Sequence, residues 1–495
     1  MTGENTTTTV GELPTPTIGD SRLPAVLTRV VWFLWLASVG ALAVHLASGE
    51  TWALGGIVAV DGFTVVMWVA VTFFSGIVHS YSRRYMAGNR TIDRFFGRVF
   101  GFTLAVMVLV AADSLVLFAL AWLAMGLLMA DLIGHAEGWP QAQAAGAYAR
   151  RYFLASSALL AVALATLWWG TGTTTVSELA SAAGSASTPV LLIAASALLL
   201  AAMVQSALVP FHRWLLSSMT APTPASALMH AGFVNAGGIL LVRFAPVVTA
   251  ETGFMLAVIL VGAASALLGK LLKTVQTDVK STLGCSTVGQ MGFMIMQAGL
   301  GFFGAAITHL IVHGFYKAYQ FLASGSRVEH ESPTATESTG TGGLAGIVAV
   351  AVTGLAGGAL FVALTGEGTE GGAGLLLALL VTLTVLHAAR EVAAGESLPA
   401  TARYGAVPLV ALPAIAIYAA IYRVIAGQLA ALPGVGHPVA LTPVHGLVAG
   451  AFVLAYLAIE SGVYRHSERL YVALLNATRP PSDTLLTATE EYNEY

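Results

Sequence analysis

Three titratable residues recur at intervals of four in the segment from Thr308 to Gln320. They are His309, His313 and Lys317. In an α-helix this spacing places all three on one stripe, with about 6 Å of rise between successive members. A histidine changes charge near neutral pH, so the stripe is suited to passing protons along a helix. The alternative is three buried polar groups that neighbouring helices satisfy and that move no protons.

The same stripe is a poor site for a metal ion. Two histidines one turn apart can hold a metal, but the stripe supplies no carboxylate or thiolate, and Lys317 would repel a cation. The chain has one cysteine, Cys285, which excludes an internal disulfide, an iron–sulfur cluster and a zinc site built from cysteines. We therefore expect neither a metal nor another cofactor in this chain.

A second group of polar residues lies upstream of the stripe. Pro222 and Pro224 remove two backbone donors, which suits an interrupted helix that lines a hydrated cavity. They could equally begin an ordinary helix. His230 follows inside the next apolar stretch, where it can carry a proton or simply pack. Gln205 and Asn235 flank this region and complete the set of candidate channel residues.

A third polar segment begins at Asp278 and enters a helix. The hydroxyl and amide residues of its first turns are Ser281, Thr282, Ser286, Thr287 and Gln290. We include Lys280 as a candidate proton carrier, with a solvated loop end as the alternative. Asp113, Asp131 and His212 are secondary polar candidates. The two acids lie near predicted helix ends, where solvation at the membrane surface would explain them equally well.

These residues belong to a chain that carries very little charge. Of its 495 residues, 57% are apolar and only 9% are charged, whereas soluble domains carry about 25% charged residues. Apolar stretches long enough to span a bilayer recur along the chain, while a membrane barrel would show short alternating segments. The composition predicts a polytopic membrane protein and excludes soluble enzymes, nucleic-acid-binding proteins and barrels.

The apolar stretches predict an all-α fold of about fourteen membrane-spanning helices. The predicted helices lie near residues 24–46, 61–79, 95–112, 114–134, 151–170, 189–209, 222–245, 252–271, 283–301, 302–325, 343–365, 371–389, 405–427 and 440–462. Residues 1–23 are expected to form a disordered tail, 24–462 the proton-conducting membrane domain and 463–495 a C-terminal tail.

The basic residues fix the orientation of this arrangement. If the chain alternates sides as predicted, 19 of its 22 lysines and arginines fall on one side, the exceptions being Arg243, Lys317 and Arg423. Basic residues concentrate in cytoplasmic loops. We therefore expect a multi-pass protein of the plasma membrane with both termini in the cytoplasm.

Several motifs resemble the proton-conducting membrane subunits of respiratory complex I and of Mrp-type cation antiporters. Over residues 60–330 they are Val60-Asp-Gly62, His79-Ser-Tyr-Ser-Arg-Arg-Tyr-Met86, Ala112-Asp-Ser114, Pro210-Phe-His-Arg-Trp-Leu215, Ala221-Pro-Thr-Pro-Ala-Ser-Ala-Leu-Met-His230, Thr277-Asp-Val-Lys280, and Lys317 with Phe321-Leu-Ala-Ser-Gly-Ser326. The resemblance implies two inverted five-helix antiporter-like repeats, each containing a broken helix and a central lysine. Buried polar residues would join the repeats along the middle of the membrane.

Two charged residues of that family have no counterpart in this chain. The family places a glutamate in a Trp-Glu-Leu motif, where this chain has Leu123 after Trp122. It places a lysine in a Lys-Ser-Ala motif, where this chain has Gln205. Losing both together is physically coherent, because either ion buried without its partner would cost several kcal/mol.

The pattern is more similar to the DabB-type membrane subunits of two-component inorganic carbon accumulation systems. The segment from His230 to Arg243 carries much of that similarity. The resemblance implies a large soluble DabA-like partner at the cytoplasmic face, with a carbonic-anhydrase-related zinc site. This chain would then be a transporter subunit that binds no cofactor and supplies proton-coupled energy to the partner.

Three functions are compatible with these features. The first is a proton-conducting subunit that drives carbon dioxide hydration or bicarbonate uptake. The second is a subunit of a complex I or Mrp-like assembly that pumps protons or exchanges sodium for protons. The third is an anchor that recruits a soluble enzyme and conducts nothing. In the first, a proton passes between the region of His230 and Lys280 and the stripe of His309, His313 and Lys317.

Overall fold

The computed structural model describes residues 21–327, 343–369, 371–394, 400–436, 438–462 and 466–484. The α-helices within these ranges are α1 Leu23–Ser48, α2 Gly62–Tyr85, α3 Ile92–Ala111, α4 Leu115–Ile133, α5 Pro140–Thr171, α6 Val176–Ala182, α7 Thr188–Gln205, α8 Arg213–Ser217, α9 Thr223–Ala231, α10 Ala236–Arg243, α11 Ala245–Val248, α12 Thr252–Lys273, α13 Val279–Gly299, α14 Phe303–Leu322, α15 Gly343–Thr365, α16 Gly374–Ala394, α17 Ala400–Leu429, α18 Pro443–Ser461 and α19 Glu468–Thr478. Most of the predicted N-terminal tail and much of the predicted C-terminal tail lie outside the described residues.

Helices occupy all fourteen predicted positions, and the chain is a multi-pass helical membrane protein. Among the described residues, eleven spans are long and apolar enough to cross a membrane, counting α9 and α10 as one. Neither α13 nor α14 belongs to this group, and these two helices carry Lys280 and the His309 stripe. The count of fourteen crossings and the two inverted repeats stay predictions.

Contacts between the connecting segments group them at two ends of the helix bundle. At one end, which we call the inner end, Arg150 pairs with Asp131. At the other, the outer end, Asp113 accepts hydrogen bonds from Ser177. The basic loops that were assigned to one side by the charge count lie at the inner end. Its assignment to the cytoplasm stays a prediction.

A two-stranded hairpin at the outer end was missed by the sequence analysis. Strand β1, Trp52–Leu54, pairs antiparallel with β2, Val58–Val60, directly before α2. Each strand has three residues, which is too short for an alternating hydrophobic pattern to stand out.

Close packing of α12 and α13 fixes one wall of the core. A Cβ added at Gly269 would lie 2.2 Å from the backbone nitrogen of Gly289, and one at Gly292 would lie 2.5 Å from that of Ala266. Small residues let membrane helices approach this closely. The contact fixes the position of α13, which carries Lys280 and Thr287, against α12.

The chain is interrupted more than once between α7 and α10. After α7 ends at Gln205, the only α-helix described before α9 is the short α8. Pro222 and Pro224 lie at the start of α9, because a proline in the first turn gives up no helical hydrogen bond. The break inside the predicted helix 222–245 comes later, where a 3₁₀ turn at Phe233–Asn235 separates α9 from α10.

Candidate proton-relay site

The predicted stripe forms on α14. The ring centroids of His309 and His313 lie 5.9 Å apart. Lys317 is fully buried, and His313 is buried as well. Tyr316, the neighbour of Lys317 in sequence, is 55% exposed. The stripe therefore faces the interior of the bundle, and the adjacent face of α14 is exposed.

Lys317 lies in an unusual environment for a lysine. Its Nζ donates a hydrogen bond to the backbone oxygen of Leu283 at 2.8 Å. In the described part of the chain no carboxylate forms a salt bridge with it. Burying an ammonium without a counter-ion is costly, and ionisable residues at membrane depth are functional candidates by default.

A continuous set of hydrogen bonds links Lys317 to His230. The backbone oxygen of Leu283, which Lys317 contacts, also accepts the hydroxyl proton of Thr287 at 2.9 Å. The same Thr287 oxygen lies 2.9 Å from Nδ1 of His230. Since the hydroxyl proton is already donated, Nδ1 of His230 carries the hydrogen in this second bond.

This arrangement leaves the other ring nitrogen of His230 free to accept a proton. Nε2 is buried and has no hydrogen-bond partner among the described residues. The ring stacks on Phe321 of α14, with centroids 4.2 Å apart. His230 also lies within electrostatic range of Lys317 and Lys280. Thr287 therefore sets the tautomer in which His230 can load a proton.

Lys280 extends the arrangement toward the inner end. Its Nζ donates to the backbone oxygens of Met219 at 3.2 Å and Ala221 at 3.1 Å, in the segment that precedes α9. Because α13 begins at the inner end and α14 runs back toward it, Lys317 lies nearer that end than His309. Along α14 the order from the inner end is Lys317, His313 and His309.

His313 has unused hydrogen-bonding capacity inside the protein. Both of its ring nitrogens are buried and have no partner within the described ranges. A buried polar atom without a partner costs about 1–3 kcal/mol. Buried polar groups of this kind are usually satisfied by internal water, and a chain of water and imidazole rings can carry protons.

Among the described residues, no additional metal ligands lie beside the two histidines of the stripe. Across the described ranges, no three histidine, cysteine or acidic side chains lie together as a metal-binding group. His309 instead contacts the ring of Phe293, at 5.4 Å between centroids. Within the described ranges the stripe offers two imidazole rings and one amine, and the absence of a bound metal stays a prediction.

Gln205 and Asn235 lie at the breaks on either side of α9. Gln205 is fully buried, and neither atom of its amide has a partner in the described structure. The Asn235 amide donates to the backbone oxygen of Ala231 at 2.7 Å. No hydrogen bond between described residues joins either side chain to the stripe. Their role, and that of Pro222 and Pro224, in a channel stays a prediction.

The three secondary candidates hold connecting segments in place. Both carboxylate oxygens of Asp113 accept hydrogen bonds from Ser177, from its nitrogen and its hydroxyl, each at 2.9 Å. Asp131 pairs with Arg150 at the inner end. His212 Nε2 contacts the backbone oxygen of Ala477 at 3.0 Å and so fastens α19. These contacts give each of the three side chains a structural role. A role for them in proton transfer stays a prediction.

An ion pair at the outer end was not predicted from the sequence. Arg243 contacts both oxygens of Asp61, at 2.5 Å and 3.2 Å. The arginine side chain is 7% exposed, and its guanidinium lies 4.7 Å from the centre of the Phe63 ring. Burial raises the pKa of Asp61, but the charge and hydrogen bonding of Arg243, together with hydrogen bonds from Thr64, outweigh it, so the pKa is lower than usual. The sequence signal for this pair was that Arg243 is one of the three basic residues that do not fall on the predicted cytoplasmic side.

Comparison with known proteins identifies the class of membrane protein to which this chain belongs. Residues 112–366 match the family model of the NADH:quinone oxidoreductase/Mrp antiporter transmembrane region. Residues 56–96 match the model of the N-terminus of complex I chain 5. Since the first match covers more than half of the chain, this protein belongs to the NADH:quinone oxidoreductase/Mrp antiporter membrane family. The resemblance drawn from the motifs is confirmed.

Individual relatives divide between two kinds of subunit. The chain is 39% identical over 291 residues to the probable inorganic carbon transporter subunit DabB1 of Halothiobacillus neapolitanus, covering 57% of this chain and 51% of that protein. It is 36% identical over 281 residues to the probable inorganic carbon transporter subunit DabB of Bacillus subtilis, covering 56% and 55%. It is 33% identical over 273 residues to NADH-quinone oxidoreductase subunit L of Mycobacterium tuberculosis, covering 54% and 43%. The matched region thus spans about half the length of each relative, or less.

The fold is similar to that of a solved antiporter. A chain of the Mrp complex from Dietzia sp. DQ12-45-1b superposes with a TM-score of 0.58 and 20% sequence identity, over 92% of this chain and 57% of that one. At this identity the similarity establishes the architecture only. It confirms the predicted antiporter-like helical fold.

Proposed function

We propose that this chain is the membrane subunit of an inorganic carbon accumulation complex, in which it conducts the protons that drive carbon dioxide hydration or bicarbonate uptake. The observation that carries the proposal is the buried cluster of His230, His313 and Lys317. Lys317 and Thr287 share the Leu283 oxygen, Thr287 orients His230, and the proton-accepting nitrogens of His230 and His313 have no partner among the described residues. The relatives named as inorganic carbon transporter subunits support the choice of substrate. The residues Leu123 and Gln205, which replace the charged pair of the pumping subunits, favour it further.

The available energy is sufficient for this task. A proton that moves down a potential of 100 mV releases about 2.3 kcal/mol. That corresponds to a factor of roughly 50 in a coupled equilibrium. If one proton enters for each carbon dioxide molecule that is hydrated, the ratio of bicarbonate to carbon dioxide is therefore held well away from its uncoupled equilibrium value.

We further propose a large soluble DabA-like partner that carries the zinc site and binds the inner end, which faces the cytoplasm from the plasma membrane. Helix α19 lies at this end and leaves Tyr471 and Val472 49% and 52% exposed. Aromatic residues are enriched at protein interfaces. Crosslinks between the partner and α19 would support this placement, and crosslinks confined to the β1–β2 hairpin would contradict it.

Growth of a host that requires elevated carbon dioxide tests the function. Co-expression of this chain with its partner should restore growth in air. A variant with both His309→Gln and Lys317→Met should assemble with the partner and fail to restore growth. If this variant restores growth as well as the unchanged chain does, the anchor function is correct and proton conduction is not needed.

The family match also supports a second function, as a subunit that pumps protons or exchanges sodium for protons. The uncharged Leu123 and Gln205 argue against it, because that function depends on a buried ion pair in related subunits. Sodium-dependent proton movement in vesicles, abolished by Lys317→Ala, would establish the antiporter function.

Replacing Thr287 by valine should slow proton conduction about tenfold. Valine has the same shape, but it lacks the hydroxyl that joins His230 to the Leu283 oxygen, so the tautomer of His230 is no longer fixed. The measurement is proton flux into vesicles under an imposed potassium diffusion potential, followed with a pH-sensitive dye. Thr282→Val is the control, since its hydroxyl bonds the backbone of Asp278 at the start of α13. Equal flux in both variants would remove Thr287 from the route.

A further inference from the structure

The stripe ends at His309, more than one helical turn before the outer end of α14 at Phe303. The proposed function, on which the following rests, requires a continuation from there to the outer solution. We infer that Gln297, Tyr418, Tyr422 and Glu367 form the outer half of the proton route.

Gln297 is the residue next to His309 in this direction. α13 lies antiparallel to α14, and Phe293 of α13 contacts His309. Gln297 is one turn farther along α13 on the same face, about 6 Å closer to the outer end. It is 1% exposed, and its Oε1 has no partner among the described residues. A buried acceptor without a partner at this point can accept a hydrogen bond from a proton-donating group that lies between His309 and Tyr418.

Two tyrosines continue from Gln297. The Tyr418 hydroxyl of α17 lies close enough to the Gln297 side chain to interact with it. Tyr422 lies one turn farther toward the outer end, and the ring of Phe361 lies 6.2 Å from each tyrosine ring. Tyr422 is buried. The two hydroxyl groups therefore follow one face of α17 between the core and the outer end.

The position of α17 relative to the stripe is fixed by close packing. A Cβ added at Gly304 of α14 would lie 2.9 Å from Cβ of Ala426 and 3.5 Å from the ring of Tyr422. Only a glycine allows the two helices to approach this closely. The tyrosines are thus held against the helix that carries His309.

Glu367 forms the outer terminus of this series. The Tyr422 hydroxyl donates to Oε1 of Glu367 at 2.5 Å. Glu367 lies in the outer connection between α15 and α16, and its backbone nitrogen donates to the Thr365 hydroxyl at 3.2 Å. It is half-buried. A carboxylate in this position can exchange protons with the outer solution and with the phenol inside.

The transfer of a proton along this series is chemically balanced. The Glu367 carboxyl group takes a proton from the outer solution and gives it to the Tyr422 oxygen as that phenol passes its own proton inward. Tyr418 repeats the exchange through internal water, and a water that donates a hydrogen bond to Gln297 Oε1 passes the proton to a ring nitrogen of His309. Gln297 positions the proton and is not itself changed. Each group returns to its starting state after one proton has passed.

The test uses the full chain with its soluble partner in vesicles, with proton flux driven by a potassium diffusion potential. Glu367→Gln should lower the flux at least about tenfold. Glutamine keeps the shape and the oxygen that accepts the Tyr422 hydrogen bond, but it cannot release a proton. Glu367→Asp, which restores the carboxylate, should recover part of the flux. Glu178→Gln, at another outer-end glutamate, should conduct normally.

A tyrosine pair tests the middle of the route independently. Tyr418→Phe should lower the flux, whereas Tyr319→Phe, at a residue of α14 that is 66% exposed, should not. If the unchanged chain conducts and both Glu367→Gln and Tyr418→Phe conduct equally well, the outer route is wrong and the proposed function stands. If the unchanged chain moves no protons, the proposed function itself fails. Should Tyr418→Phe not fold, the Glu367 variants decide alone.

Discussion

Replacing Lys317 by methionine should lower proton conduction at least about 100-fold without destabilising the protein. Methionine fills a similar volume but neither accepts nor donates a proton, so the stripe loses its member nearest the inner end and the bond to the Leu283 oxygen. A buried charge without a salt-bridge partner does not stabilise the fold, and its replacement by an apolar side chain is often neutral or stabilising. Proton flux in vesicles and thermal unfolding in detergent would measure the two effects.

Lys273→Met is the matched control for this variant. Lys273 lies on α12 near the inner end, outside the hydrogen-bonded series, and acts on Lys317 only through its charge. It should retain most of the proton flux. Lys317→Met vesicles that conduct like the unchanged chain would show that protons do not pass through Lys317.

Replacing Asp61 by asparagine should destabilise the protein by about 3–5 kcal/mol, because it leaves a buried guanidinium without its counter-charge. Arg243 is 7% exposed, so water cannot take the place of the carboxylate. The free energy of unfolding, or the melting temperature in detergent, would show the loss. Replacing Arg243 by methionine in the same chain should recover part of it.

Asp131→Asn provides the contrast. Asp131 pairs with Arg150, but their side chains are 36% and 49% exposed, and exposed pairs contribute about 0–1 kcal/mol. If Asp61→Asn is as stable as Asp131→Asn, the outer ion pair does not stabilise the fold.

The Asp61–Arg243 pair also predicts how the stability of the protein responds to pH. The pKa of Asp61 is lower in the folded protein than in the unfolded chain. Its contribution to stability is therefore fully present above the unfolded value and is lost only as the pH falls through the folded value. Between about pH 5 and 8 the destabilisation caused by Asp61→Asn should stay constant.

Local periodicity predicted the parts of the site that lie on one helix. Intervals of four residues were enough to place His309, His313 and Lys317 on one face, and apolar length was enough to locate the helices. Polar residues within apolar stretches and the two prolines already indicated His230, Lys280 and an interrupted helix, and the family resemblance added two repeats that each contain a broken helix and a central lysine.

Tertiary packing decided the rest, for which the sequence holds little signal. Thr287 was noted only as one of several hydroxyl residues, because the carbonyl of Leu283 that completes its link to Lys317 is a backbone atom present at every position. Asp61 and Arg243 are 182 residues apart. Pairing across that distance depends on how α2 and α10 pack.

The position of the helix break also depends on packing, although the residues involved are close in sequence. Pro222 and Pro224 fit both an interruption and a helix start, and the structure has them begin α9. The break falls at Gly232, whose backbone angles of −124° and −64° depart from the helical values. Glycine is common within membrane helices. A single glycine therefore does not reveal a break before the packing is known.

Simultaneous recording of proton entry and inorganic carbon accumulation, in cells that express the chain with its partner, tests proton-driven carbon uptake most directly. We predict that both fall together when Lys317 is replaced by methionine or when a protonophore collapses the potential, and that removing sodium changes neither. Carbon accumulation that persists after proton entry has been abolished would contradict the proposed function.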